Sequence, residues 1–216
     1  MLNEKTLELN ICAEFLKVCR RYDPHAFIFG TTLKQEKYRG YDSEVFGRLP
    51  QFWRAAVFQF KKALRKKPTP SGYEYTFQIN NNGQHDQHLF LYLMSGGRPF
   101  VSLYVLPHFI TLTDIRNQAP NLLGQTYFAD AKDIPPSLVN NTPHFLITYP
   151  NLCLGIIHSE KMEIKLHTLE EVIMAVTERK MGISIEELRA NLTAPKTKEA
   201  ELRSKRPRFT FQIFTQ

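Results

Sequence analysis

Cysteine is scarce in this sequence, and its spacing argues against a zinc site. The chain has 216 residues and three cysteines, Cys12, Cys19 and Cys153. None of them belongs to the CxxC pair that is typical of structural zinc sites. Cys12 and Cys19 fall on one face of a predicted helix, which is typical of buried thiols in a reducing compartment. We therefore expect a cytoplasmic protein without a zinc centre.

Long hydrophobic runs and the common enzyme fingerprints are also missing. No stretch approaches the roughly 18 apolar residues that span a bilayer. The opening residues lack the charged region and apolar run of a secretory signal. No GxSxG, Walker or dinucleotide-binding motif occurs. What is left is ordinary globular composition, with 43% hydrophobic and 23% charged residues, so we expect no membrane partner.

The chain does carry an excess of positive charge. Its formal net charge is +7 at pH 7. Two basic clusters contribute to it, namely Lys61, Lys62, Arg65, Lys66 and Lys67, and Arg203, Lys205, Arg206 and Arg208. Such clusters can follow the phosphates of a nucleic acid, but they can equally be solvated surface. Charge alone therefore favours a polyanionic partner no more than it favours a basic surface without one.

The first half of the chain predicts a mixed sheet with helices on its faces. In order, the predicted elements are a helix over 4–22, strands over 26–33, 40–46 and 54–61, a loop over 66–72, a strand over 73–79, a helix over 84–94 and a strand over 99–106. Three consecutive strands with short links favour an antiparallel meander. A helical crossover before the last strand favours its parallel addition to the sheet.

The second half is less regular. The predicted elements are loops over 112–142, strands near 145–149, 152–158 and 163–166, helices over 168–181 and 184–192, a basic linker over 193–208 and a terminal strand over 209–214. Thr168 and Glu171 form a capping box that marks the start of one of these helices. An apolar terminal strand has to pair with this chain's sheet or with another subunit.

Polar residues cluster at the end of the third predicted strand. Gln59 and Lys61 are two residues apart, so their side chains share a face. Alone, they can simply mark the strand's exit into solvent. Asp42, in the preceding strand, can reach Gln59 because neighbouring strands lie about 4.8 Å apart. A carboxylate, an amide oxygen and a nearby main-chain carbonyl are hard donors that suit magnesium, and an adjacent lysine can position a metal-bound water.

Glu8 interrupts the apolar face of the first predicted helix. It shares that face with Ile11, Cys12, Phe15 and Cys19 at helical offsets. A carboxylate on a buried edge needs a partner, a proton or a metal. It can also reach solvent from the first turn, where the helix dipole favours negative charge. The sequence leaves these two interpretations open.

A second metal candidate is weaker. His85 and His88 lie about one helical turn apart near the start of a predicted helix, with Asp86 between them. No third ligand has suitable spacing. Surface histidines near a helix start are the favoured interpretation.

Taken together, the motifs and the order of elements resemble the PD-(D/E)XK, or restriction-endonuclease-like, nuclease superfamily in its QxK (Mrr-like) variant. The residues that carry the resemblance are Glu8 in the first helix, Gly40-Tyr41-Asp42, and Val57-Phe58-Gln59-Phe60-Lys61. They span about residues 4–106, half of the chain. The resemblance implies an αβββαβ core in which a mixed central sheet is flanked by helices.

The resemblance also implies roles for individual residues. Asp42, Gln59 and Lys61 would form the catalytic centre, assisted by Glu8. Asp42, Gln59 and Glu8 would hold Mg²⁺ or Mn²⁺, and the neighbouring acids Glu44 and Glu36 are further candidate ligands. The basic run at Lys62, Arg65, Lys66 and Lys67 would contact the DNA backbone.

We therefore expect a mixed α/β fold with a restriction-endonuclease-like core over 1–110. An α/β extension over 111–192 would pack on this core, followed by a basic linker and terminal strand over 193–216. The expected function is metal-dependent hydrolysis of DNA phosphodiester bonds in a bacterial defence or repair system. A targeting protein or a second copy of the chain is the expected protein partner. The alternative is a catalytically inactive subunit of the same fold that binds nucleic acid or acts as a scaffold, because Gln59 carries no charge.

Overall fold

The computed structural model describes residues 2–31, 41–48, 53–80, 87–96, 98–135, 143–177 and 183–184. These residues form a mixed α/β structure with two β-sheets and four α-helices. The helices are α1 (Glu4–Cys19), α2 (Gln87–Ser95), α3 (Leu112–Gln118) and α4 (Leu169–Thr177). Within the described ranges, none of the helices has the length and apolar character needed to span a bilayer.

Eleven strands lie within the described residues. They are β1 (Phe27–Gly30), β2 (Ser43–Arg48), β3 (Trp53–Phe60), β4 (Ala63–Thr69), β5 (Gly72–Asn80), β6 (Ser102–Pro107), β7 (Thr126–Asp130), β8 (His144–Tyr149), β9 (Leu154–Ile157), β10 (Met162–Lys165) and β11 (Ile183–Ser184). The first sheet has the order β1-β2-β3-β6-β7, with β11 also paired to β3. The second has the order β10-β9-β8-β5-β4 and is antiparallel throughout.

The part of the first sheet formed by β1, β2, β3 and β6 has the topology expected from the sequence. Strands β1, β2 and β3 form an antiparallel meander, and β6 pairs with β3 in parallel. The crossover between β3 and β6 contains α2, as predicted, but it also contains the β4–β5 hairpin. That hairpin belongs to the second sheet, so the chain leaves the first sheet and returns to it.

From Ala56 to Phe60, the central strand β3 is buried on both faces. Val57 faces a core that includes residues of α2 and of the second sheet. Phe58 and Phe60 face a core built on α1, where the Phe58 ring lies edge-on to Phe15 at 5.1 Å between centroids. A strand covered on both sides loses the alternating polar pattern of a surface strand, which explains its near-continuous apolar sequence.

Helix α1 begins with a side-chain cap and ends earlier than predicted. The Asn3 side chain accepts a hydrogen bond from the Thr6 N–H at 2.8 Å, which satisfies one of the free donors of the first turn. The helix ends at Cys19, and the predicted last turn leaves Tyr22 exposed. The buried positions are Leu7, Glu8, Ile11, Phe15 and Cys19.

The loop predicted over 66–72 is wrong for its first part. Residues up to Thr69 continue strand β4, with Pro68 inside it. Proline is tolerated here because β4 is the edge of its sheet, where one side needs no hydrogen-bond donor. The prediction took the Pro-x-Pro pattern as a chain breaker, whereas it marks an edge strand followed by a tight turn to β5.

The second half contains more regular structure than the predicted loops over 112–142. Helix α3 starts with a capping box between Thr111 and Asp114, and β7 extends the first sheet. The capping box predicted at Thr168 and Glu171 is confirmed by hydrogen bonds in both directions. Residues 185–216, with the predicted second helix, linker and terminal strand, lie outside the described part of the chain.

The predicted domain boundary at residue 110 does not separate the two sheets. Strands β6 and β7, on either side of it, are hydrogen-bonded neighbours in the first sheet. Strands β5 and β8 are likewise neighbours in the second. Residues after 110 therefore complete both sheets instead of only packing against a finished core.

Candidate active site

Asp42 and Gln59 lie side by side, at the point where β2 begins and β3 ends. The register pairs Ser43 with Phe58, which places residues 42 and 59 at the next position of the same ladder. The Asp42 Oδ2 atom accepts hydrogen bonds from Gln59 Nε2 at 2.8 Å and from the Phe60 main-chain N–H at 2.6 Å. The predicted convergence of Asp42 and Gln59 is therefore present in the structure.

The main-chain carbonyl of Phe60 completes this arrangement. Gln59 Nε2 donates to the Phe60 oxygen at 3.1 Å as well as to Asp42 Oδ2. One carboxylate oxygen and one carbonyl oxygen thus surround the same positively polarised NH₂ group. The two oxygens are hard donors of the kind that a cation such as magnesium prefers.

Gln87, the first residue of α2, links Gln59 to Lys61. Its Nε2 donates to Gln59 Oε1 at 2.8 Å, and its Oε1 accepts from Lys61 Nζ at 2.5 Å. Lys61, Gln87, Gln59 and Asp42 thus form one continuous hydrogen-bonded series, which we call the amide chain. Every donor in it points from Lys61 towards Asp42.

Three residues of the amide chain are buried, and Gln87 is half-buried. Asp42 is 9% exposed, Gln59 1% and Lys61 3%. These values contradict the alternative in which Gln59 and Lys61 mark an exposed strand end. Burying an ammonium and a carboxylate is unfavourable unless both are hydrogen-bonded, and both Lys61 and Asp42 are.

Glu8 is buried, which decides between the two interpretations that the sequence left open, but its partners lie outside the amide chain. Its Oε1 accepts from Ser43 Oγ at 2.8 Å, and its Oε2 pairs with Lys5 Nζ at 2.7 Å. Ser43 and Val45 belong to the α1 side of the first sheet. Glu8 therefore contacts the residue after Asp42, and both of its oxygens have partners outside the amide chain.

Cys12 contacts the same serine. Its Sγ lies 3.9 Å from Ser43 Oγ. Burial, the largest effect, raises the pKa of the Cys12 thiol to about 12. The thiol therefore stays protonated near neutral pH and lacks the thiolate form that binds metals.

The additional acid Glu44 is also buried and has its own partner. Its Oε1 accepts from the Tyr41 hydroxyl at 2.5 Å. It lies opposite Val57 in the ladder, two residues after Asp42. Glu36, the other candidate, lies outside the described residues.

The basic run follows directly from the site. The Lys62 N–H donates to Glu4 Oε1 at 3.0 Å, and β4 then carries the exposed Arg65, Lys66 and Lys67 along the sheet edge. Within this run, Lys66 Nζ lies 4.1 Å from the centre of an exposed ring, that of Tyr73. Lys67 Nζ is 3.6 Å from a Glu74 carboxylate oxygen, so part of its charge is locally compensated. We call the exposed Arg65, Lys66 and Lys67 of β4 the basic edge. It begins close to Lys61 in the chain and extends away from it.

The donor set suits a hard cation bound by few protein groups. In the described part of the chain, no three or more His, Cys, Asp or Glu side chains are grouped closely enough to hold a metal ion. A cation at this site would depend on the Asp42 carboxylate, the Phe60 carbonyl and the Gln59 amide oxygen. Magnesium is often held by one or two carboxylates together with water, so the residues present are compatible with it.

His88 is a buried residue, and both of its ring nitrogens have hydrogen-bond partners. It is fully buried in α2, with Nδ1 3.0 Å from the Tyr104 hydroxyl and Nε2 3.2 Å from the Ile134 carbonyl oxygen. Burial lowers the pKa of His88 to about 4, so the ring is neutral at pH 7. The interpretation as a surface histidine is therefore wrong, and the ring ties α2 to its neighbours. His85 and Asp86 lie outside the described residues.

Gln87 is the site residue that sequence reasoning missed. It lies in the predicted helix over 84–94, but no motif within that helix singles it out. A usable signal was its place at the start of the first helix after the QxK strand end, since α2 runs from there along the same face of the sheet.

Comparison with known proteins assigns no family. No protein-family profile, curated protein or solved structure matches the chain significantly. The function therefore has to be argued from the chemistry of the site itself.

Proposed function

We propose that this protein is a magnesium-dependent nuclease that hydrolyses DNA phosphodiester bonds on a restriction-endonuclease-like core. The observation that carries the proposal is the buried meeting of Asp42, Gln59, the Phe60 carbonyl and Lys61 at one strand end. The order α1, β1, β2, β3, α2, β6 around it supports the same core. A role in bacterial defence or repair, with a targeting protein or a second copy as partner, is part of the proposal.

Each residue has a distinct part in the proposed reaction. Asp42 Oδ2 and the Phe60 carbonyl oxygen would hold the cation, with Gln59 as a third oxygen donor. When bound, Mg²⁺ lowers the pKa of a coordinated water and neutralises charge on the phosphate. Lys61 would orient the attacking water and stabilise the negative charge that develops on the phosphoryl oxygens. Glu8 would support the site through Ser43.

The basic edge supports DNA as the proposed substrate. Arg65 and Lys66 are exposed on β4, which starts two residues after Lys61. Cationic side chains along a strand edge attract the phosphate backbone and release its counterions, independently of base sequence. DNA lying along β4 would reach the amide chain at the strand's beginning.

Cleavage assays on the full chain test this proposal. Double-stranded and single-stranded DNA are incubated with Mg²⁺ or Mn²⁺, and the wild type is compared with Asp42→Ala and Lys61→Met. Both variants should lose at least about 100-fold in rate, since a metal site and a charge-stabilising group each contribute several kcal/mol. Lys62→Met is the matched control, and its rate should stay within about tenfold because a single backbone contact is lost.

Unchanged cleavage in Asp42→Ala and Lys61→Met would overturn the assigned site.

The second candidate function, a nucleic-acid-binding subunit without activity, is favoured by one observation. Gln59 presents its NH₂ group, and not an oxygen, to Asp42. DNA binding without cleavage under either metal, and without Mn²⁺ binding in calorimetry, would support this second function.

A further inference from the structure

The direction of hydrogen bonding along the amide chain sets a condition on cation binding. Gln59 Nε2 uses both of its hydrogens, one towards Asp42 Oδ2 and one towards the Phe60 oxygen. Gln59 can offer an oxygen at this position only after its amide group turns by about half a revolution. Its Nε2 would then face Gln87 in place of its Oε1.

That rotation is incompatible with the present orientation of Gln87. Gln87 currently donates its Nε2 to Gln59 Oε1. After the rotation two NH₂ groups would face each other, so Gln87 has to rotate as well and accept through Oε1. Its Nε2 would then face the Lys61 ammonium, which has only donors. The hydrogen bond between Lys61 Nζ and Gln87 Oε1 is therefore lost.

We infer that Gln87 is a positioning residue that couples cation binding at Asp42 to the loss of its own hydrogen bond with Lys61. The inference rests on the proposed function. In the orientation described, Lys61 is held 2.5 Å from Gln87 Oε1 at a buried position. Reversal of the two amides ends that contact, so a cation held by the Gln59 oxygen and the hydrogen bond between Lys61 and Gln87 exclude each other.

A double-mutant cycle on Mn²⁺ affinity tests this coupling without measuring cleavage. Wild-type protein, Lys61→Met, Gln87→Met and the double variant are titrated with Mn²⁺ alone by calorimetry. Lys61→Met should bind Mn²⁺ about tenfold more tightly, because binding no longer breaks a hydrogen bond to a charged group. In the Gln87→Met background the same lysine substitution should change the affinity by much less.

Lys62→Met, made in both backgrounds, is the matched control for the loss of one positive charge. Its effect on Mn²⁺ affinity should be the same with Gln87 or Met at position 87. Far-ultraviolet circular dichroism checks that each variant folds, and Gln87→Leu replaces Gln87→Met if the latter does not. Nuclear magnetic resonance of ¹⁵N-labelled protein follows the side-chain NH₂ signals of Gln59 and Gln87. Both signals should shift when Mg²⁺ is added in the absence of Mn²⁺.

The outcomes separate the inference from the proposed function. If Lys61→Met tightens Mn²⁺ binding equally in both backgrounds, the change in affinity comes from the loss of a nearby positive charge. The role of Gln87 is then overturned, while the metal site stands. If the wild type binds no Mn²⁺ and Asp42→Ala is indistinguishable from it, the metal site and the coupling both fail. If Lys61→Met tightens Mn²⁺ binding in the wild-type background but not in the Gln87→Met background, the coupling is supported.

Discussion

Two buried aspartates lie at strand ends of the first sheet, and their surroundings differ in kind. Asp42 and Asp130 are 9% and 1% exposed. Each accepts a main-chain N–H at 2.6 Å, from Phe60 and from Phe100 respectively. For Asp130 the other oxygen accepts a second main-chain N–H, that of Lys132 at 3.1 Å. For Asp42 the further donor is a side-chain amide that leads on to a buried lysine.

This difference shows that partners, more than burial, distinguish a candidate site from a structural carboxylate. Asp130 caps the short 3₁₀ turn at Ala131–Asp133 and holds Phe100, whose φ of 58° is unusual for a residue with a side chain. Its hydrogen bonds all serve the local backbone. One of the two donors to Asp42 is instead a side-chain amide, that of Gln59, which can rotate.

The largest expected effect compares the same substitution at the two positions. Asp42→Asn should lower Mg²⁺-dependent cleavage by at least about 100-fold, because a neutral amide is a poor cation ligand. Asp130→Asn should leave the rate of the folded protein within about tenfold. The comparison is measured with metal-dependent cleavage of DNA at matched concentrations of folded protein. Equal losses in the two variants would remove the distinction between the sites.

The second prediction concerns pH and Asp130. Burial raises the pKa of Asp130 from 3.8 to about 6, despite its two main-chain donors. Because the folded state holds the proton more tightly than the unfolded state, the contribution of this group is fully present below about pH 4. It is lost as the pH rises through about 6. The associated free energy is on the order of 3 kcal/mol.

Urea unfolding between about pH 4 and pH 7 measures this contribution. Asn cannot titrate, so the difference in unfolding free energy between wild type and Asp130→Asn should shift in favour of the variant as the pH rises. Buried histidines such as His88 are present in both proteins and cancel in the difference. Parallel pH profiles for the two proteins would show that Asp130 does not titrate in this range.

The smallest expected effect concerns Glu8, another buried carboxylate. Both of its oxygens are engaged by Lys5 and Ser43. Glu8→Gln should therefore lower cleavage by less than about tenfold. It should lower the free energy of unfolding by about 1 kcal/mol, a modest value because Lys5 is largely exposed. A loss as large as that of Asp42→Asn would instead place Glu8 among the catalytic groups, as the family resemblance implies.

Several features of the fold and site follow from local rules and were predictable. The period of two along a strand puts Gln59 and Lys61 on one face, and the helical period puts Glu8 on the buried side of α1. The capping box at Thr168 depends on four consecutive residues and was recognised for that reason. The meander and the parallel return of β6 follow from the lengths of the connections.

Other features depend on pairing between distant segments. Gln87 reaches Lys61 only because α2 returns across the sheet after a hairpin. Strand β4 was taken for a loop because Pro68 breaks most strands, and its edge position is set by the second sheet. The place of β7 beside β6, across the predicted boundary at 110, has the same origin.

By itself the sequence determined which side chains share a face, and it singled out Asp42, Gln59 and Lys61 as candidates, because both follow from the geometry of one helix or one strand. The tertiary structure decided what surrounds Asp42. The register of β2 on β3 and the return of α2 bring Gln59, the Phe60 carbonyl, Gln87 and Lys61 to one buried position. Long-range packing sets such positions, and no short stretch of sequence encodes them.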